Sequence, residues 1–178
     1  MTENLFNELL DCKVPIRIQP VGLSMHPFIR REDYITIAPL LPDNPDEAEN
    51  MIAIGDCIIL QENCDRWLIH RVIGKNHKNK TIITKGDALL YPDQPVTSLT
   101  IWGKVTVIHR SDSEREYLLD RPLQRIICRW IAFLSRCEKI ISLIFRLRRR
   151  KVEYSQGMEF TARILKFPKW TLTRVFFP

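Results

Sequence analysis

From Ile16 to about Arg110 the apolar residues come in short runs: IRIQPVG, YITIAPL, DCIILQ, RWLIHRVIG, KTIITKG and IWGKVTVIHR. Ile, Val, Thr and Trp dominate them, the side chains that suit a pleated, half-buried surface. Between the runs lie LPDNPDEAEN, GKNHKNK and GDALLYPDQPV, where Pro, Asp, Asn and Gly punctuate the chain as turns. The pattern predicts a mainly β domain over residues 1–120, a coiled antiparallel sheet or partial barrel. EYLLD at 116–120 adds a last short strand. Leu5, Phe6, Leu9 and Leu10 fall on one side of a short helix over 3–12.

After Asp120 the period becomes helical. Leu123, Ile127, Trp130, Leu134, Cys137, Ile141 and Ile144 share one face of a predicted amphipathic helix, and Arg121, Arg125, Arg129, Arg136, Lys139, Arg146 and Arg150 occupy the opposite side. Residues 121–178 therefore read as a second unit, a basic amphipathic α-helix followed by an aromatic-basic stretch. That last stretch, 152–178, is either a short amphipathic helix or a tail lying on another surface.

Charge sharpens this division. The 178-residue chain carries a net +6, but residues 121–151 hold ten Lys or Arg against one acid, Glu138. The basicity belongs to one element, which favours a local electrostatic contact over general nucleic-acid binding. The five cysteines, Cys12, Cys57, Cys64, Cys128 and Cys137, include no CxxC pair, so neither a disulfide framework nor a zinc-site spacing is indicated. His26, His77 and His109 have no metal-like partners at sensible spacing, and no metal or organic cofactor is implied. The N-terminus lacks a basic start followed by an unbroken apolar stretch, so no signal peptide is expected. No run of uncharged apolar residues is long enough for a transmembrane helix.

Three short segments of the β region carry candidate chemistry: Gly22-Leu23-Ser24-Met25-His26-Pro27, Ile69-His70-Arg71-Val72-Ile73, and Thr84-Lys85-Gly86-Asp87 followed by Asp93. A serine hydroxyl is a poor nucleophile at neutral pH. It needs a base to take its proton, and the base benefits from an orienting carboxylate. Ser24, His70 and Asp93 supply one of each. Ser24 sits between a glycine and a proline, a context that suits an exposed turn with backbone N–H groups facing an oxyanion.

The order and content of these segments resemble the signal peptidase I superfamily of serine peptidases, which also contains the self-cleaving SOS-type repressors. GLSMHPFI resembles the nucleophile box, LIHRVIG the general-base box and TKGDALLYPD the acidic box. WGKV is similar to the strand that follows, and IGDCIIL to the strand between the first two boxes. The resemblance covers roughly residues 16–110. The histidine at the base position is that of the archaeal and endoplasmic-reticulum branch, where the typical bacterial enzymes and the repressors have lysine. It implies a signal-peptidase-like fold, with Ser24 as nucleophile, His70 as general base and Asp93 as orienting acid. Asp87 is the rival for the acid role and otherwise shapes the turn. Two features depart from the pattern: no N-terminal membrane anchor is evident, and Arg31-Glu32-Asp33 stands where Gly-Asp is usual.

The resemblance implies a serine endopeptidase that cleaves a leader or precursor peptide. Its activity should fall in acid, as the base becomes protonated. The alternative is a catalytically weak peptide-binding module on the same fold. Self-cleavage coupled to DNA binding is disfavoured, because only about 20 residues precede the serine box. The expected partner is a protein or peptide substrate. The basic helix either docks on the β domain, lies on an anionic membrane surface, or binds nucleic acid, and the last lacks any base-reading signature. The expected location is cytoplasmic or peripheral at a membrane.

Overall fold

The computed structural model describes residues 14–40, 45–63, 66–97, 100–148 and 169–177. The helix expected over residues 3–12 lies outside them, as do Cys12 and Cys64. The elements in chain order are β1 (Ile16–Ile18), β2 (Tyr34–Pro39), α1 (Pro45–Met51), β3 (Cys57–Asn63), β4 (Arg66–Asn76), β5 (Thr81–Lys85), β6 (Val96–Thr97), β7 (Ile101–His109), β8 (Glu116–Leu118) and α2 (Pro122–Arg148). Residues 169–176 form a further helix, α3.

Every strand pairing is antiparallel, in the order β1-β2-β7-β3-β4-β5-β6. β8 pairs with residues 107–109 of β7, beyond the point where β3 leaves that strand. Register shifts between Thr36 and Ile37, Ile59 and Leu60, and Val72 and Gly74 interrupt the ladders. Such irregularities bend a strand and increase its twist, which suits the curled half-barrel form of this sheet.

The continuous apolar run of β3 follows from burial on both faces. Cys57 and Ile59 join a core with Phe28, Ile29, Ile35, Ile37, Val105 and Ile108, closed by Ile127, Cys128 and Ile131 of α2 and by Phe177. Ile58 and Leu60, on the alternate face, join Leu40, Ile52, Val72, Ile82 and Ile101. The short helix α1 was not expected within the LPDNPDEAEN separator.

α2 docks on the sheet by a different face from the one its hydrophobic pattern selects. Ile127, Cys128, Ile131, Ala132, Ser135 and Glu138 are buried, whereas Leu123, Ile126, Trp130 and Phe133 are exposed. Two contacts explain the rotation. Gly55, at a φ of 101°, lies against the α2 backbone so closely that a Cβ there would stand 2.9 Å from the amide nitrogen of Arg129. Only small side chains allow that approach. Glu138 meets Lys85 of β5 and Lys169 of α3, and this contact fixes the same face.

Burial pushes the thiols of Cys57 and Cys128 above their ordinary pKa, against the lowering effect of nearby Arg71. The thiolate is the reactive form, so a raised pKa keeps both groups inert at neutral pH. In iodoacetamide labelling of the native protein at pH 8, neither should alkylate, and both should alkylate in denaturant. Rapid native labelling of Cys57, located by peptide mapping, would contradict its placement in the core.

Candidate active site

β4 carries the candidate base. The strand pairs with β3 from Arg66 to Arg71, but its ladder with β5 begins only at Arg71. Residues 67–70 therefore border a cleft along their other side, and side chains from both faces of the strand (Trp67, Leu68, Ile69 and His70) reach its wall. The opposite wall is the segment from Ile18 to Met25, which includes Ser24, and Ile29, Ile59, Ala88, Leu89 and Asp93 complete the lining. The cleft has a volume of about 1130 Å³. Gln19, Ser24, His70 and Asp93 contribute polar side chains to a lining that is otherwise largely aliphatic and aromatic.

His70 is buried, and its Nδ1 lies 2.6 Å from Oδ2 of Asp93. Since a carboxylate only accepts, Nδ1 carries the hydrogen. Nε2 is then the acceptor nitrogen when the ring is neutral, and among the described residues it is buried without a hydrogen-bond partner, the Ser24 hydroxyl included. Asp93 is itself fixed twice by Thr84: the Thr84 hydroxyl donates to Oδ2 at 2.6 Å, and the Asp93 backbone N–H donates to the Thr84 carbonyl at 2.9 Å. Thr84 is fully buried on β5, so the carboxylate is anchored to the sheet and not to its own Pro-flanked loop.

Ser24 sits in the turn after β1 and is partly exposed. The turn is closed by the His26 N–H donating to the Leu23 carbonyl at 3.1 Å and the Ile29 N–H to the Met25 carbonyl at 3.0 Å. The Ser24 carbonyl accepts the Ala88 N–H at 2.8 Å, which ties the serine turn to the acidic segment. Gly86 makes this possible, since a Cβ there would lie 2.7 Å from the same carbonyl oxygen. Ser24, His70 and Asp93 thus line one cleft, although 68 residues of chain lie between the first and the last.

Asp87, the alternative acid, faces other work. Its Oδ1 accepts from Nε of Arg71 at 2.9 Å and its Oδ2 from NH2 at 2.7 Å, and Arg71 also donates to the Gly55 carbonyl at 2.8 Å. The guanidinium stacks 4.2 Å from the Phe28 ring centroid. Burial is the largest influence on the Arg71 pKa and lowers it, but the Asp87 carboxylate and smaller effects of Cys57 and Cys128 together hold the group well above its ordinary value. This fully buried pair links the serine turn, the base strand and the acidic segment from behind the cleft.

Two features of the surroundings were not anticipated. The role of Thr84 is invisible in sequence because its partner is nine residues away. Lys85, next to it, is buried against Glu138 and the Ser135 carbonyl of α2. Lys169 of α3 donates to the Asp87 carbonyl and the Ser135 hydroxyl, both at 3.1 Å. The Arg-Glu-Asp departure also has a use: Asp33 pairs with buried Arg110, which donates to the Phe177 carbonyl. Among the described residues, no three His, Cys, Asp or Glu side chains are grouped to hold a metal ion.

No family model, curated protein or solved structure matches the chain.

Proposed function

We propose that the chain is a serine endopeptidase of the signal-peptidase-like type, with Ser24 as nucleophile, His70 as general base and Asp93 as orienting acid. The observation that carries this reading is the 2.6 Å contact between His70 Nδ1 and Asp93, both lining the cleft that Ser24 also lines, which leaves Nε2 as the nitrogen free to act as base among the described residues. Nε2 is the nitrogen that would take the Ser24 proton as the hydroxyl oxygen attacks the scissile carbonyl. The imidazolium would then return that proton to the leaving amine, with Asp93 stabilising its charge. Backbone N–H groups of the serine turn would meet the oxyanion, although the His26 N–H is already bonded to Leu23. The substrate would be an extended peptide laid along the 67–70 side of β4, where main-chain pairing supplies affinity and the apolar wall favours uncharged side chains.

The test is acylation by a fluorophosphonate probe, with the adduct located by mass spectrometry in the wild type, Ser24→Ala and His70→Ala. We expect a single adduct on Ser24, absent from Ser24→Ala and slowed at least about 10³-fold in His70→Ala. A folded protein that takes no label with or without lipid vesicles present would sink the catalytic reading and leave the cleft as a peptide-binding groove.

A further inference from the structure

The rotation of α2 leaves a surface unexplained. Leu123, Ile126, Trp130 and Phe133 follow at spacings of three, four and three, so they form one stripe roughly 15 Å long. All four are more than half exposed, Trp130 at 57% and Phe133 at 55%. The two rings pack edge to face with centroids 5.8 Å apart, which makes them one apolar block. A globular helix ordinarily turns such a stripe inward. Here the inward face is held by Gly55 and by the Lys85–Glu138–Lys169 contacts, so the stripe stays outside.

Charge says what the stripe is built to meet. Arg121, immediately before α2, and Arg125, Arg129 and Arg136 along it are exposed. Glu138, the one acid of α2, is buried between two lysines and neutralises none of the arginines. A second copy of the chain would bring cation against cation. A surface that is apolar within and anionic at its boundary complements both features, and tryptophan suits that boundary. We propose that α2 lies on an anionic lipid surface, with Leu123, Ile126, Trp130 and Phe133 inserted among the acyl chains and the arginines at the headgroups. Among the described residues no helix is long and apolar enough to cross a membrane, so the contact is in the interface plane. This proposal rests on the helix surface and stands apart from the cleft and its chemistry.

The experiment is flotation of the full chain with vesicles of phosphatidylcholine, with and without phosphatidylglycerol. The wild type should partition onto the anionic vesicles only. Trp130→Ser/Phe133→Ser should lower that partition by roughly tenfold or more, through lost apolar insertion. Arg121→Gln/Arg125→Gln should lower it by roughly fivefold per arginine. All the altered side chains are exposed, so both double variants should keep the wild-type circular dichroism and melting temperature. Three results would each overturn the proposal: no binding to anionic vesicles, wild-type binding by Trp130→Ser/Phe133→Ser, or a lipid-free dimer that this variant abolishes. The last would assign the stripe to a second copy.

Discussion

Replacing Asp93 by asparagine is expected to slow acylation of Ser24 by roughly 10³- to 10⁴-fold while leaving the fold intact. The substitution is nearly isosteric, and the site offers the new amide two orientations. If its oxygen takes the place of Oδ2, both the His70 and Thr84 hydrogen bonds survive and only the negative charge is lost. A unit charge about 4 Å from the imidazolium at an effective dielectric near 20 is worth about 4 kcal/mol, or close to 10³ in rate. If the amide nitrogen turns toward His70 instead, Nδ1 must accept and the hydrogen moves to Nε2. The nitrogen meant to take the serine proton is then blocked, which accounts for the upper end of the range. The measurement is the rate of probe adduct formation by intact mass, beside the melting temperature. A rate within tenfold of the wild type would remove Asp93 from the mechanism.

The largest expected effect on stability lies behind the cleft, at Glu138. Its carboxylate meets Lys85 through one oxygen and Lys169 through the other at 2.7 Å, the latter an ion contact short of good hydrogen-bond angle. Both lysines and Glu138 are almost completely buried. Glu138→Gln leaves two buried ammonium groups without a counter-charge, and breaking such an arrangement costs about 3–5 kcal/mol. Against a total stability of about 5–15 kcal/mol that is a large fraction, readable as a fall in the urea midpoint. The triple exchange Lys85→Met/Glu138→Leu/Lys169→Met, which removes every charge, is expected to be about neutral or stabilising.

The pH dependence has a definite sign. Burial lowers the Lys85 pKa below its ordinary 10.5 even with Glu138 beside it. A lysine depressed in the folded state is held charged at a cost below its folded pKa, and that cost is relieved as pH rises from there toward 10.5. Glu138→Gln removes the charge that opposes the depression, so its stability deficit should narrow in alkali. A deficit under about 1 kcal/mol that does not vary with pH would mean that water reaches these lysines.

The same cluster shows what periodicity could and could not reveal. The strands were legible because Ile, Val and Thr runs bounded by turn residues have few alternatives, and seven of the eight strands among the described residues fall in the six apolar runs or in EYLLD. Val96–Thr97 was missed because two residues carry no period. α1 was missed because PDEAENM lies inside a stretch that reads as turns. The helix 122–148 was legible as a helix but its docked face was not. The largest apolar residues define the strongest face of the wheel, whereas the face that docks was chosen by close approach of Gly55 and by pairing of Glu138 with two lysines distant in sequence.

The candidate site divides in the same way. The sequence by itself determined the antiparallel β class, the amphipathic helix with its concentrated charge, and the residue types Ser24, His70 and Asp93 in recognisable local contexts, because each of these is written in near neighbours. Only the tertiary structure decided that Asp93, and not Asp87, meets His70, that Thr84 fixes that carboxylate, and that Arg71 holds Asp87 on the far side. It alone placed Trp130 and Phe133 outward. These outcomes depend on ladder register and backbone approach between segments far apart in the chain. Such long-range contacts are selected by packing and charge pairing together, and no local window of sequence contains both partners.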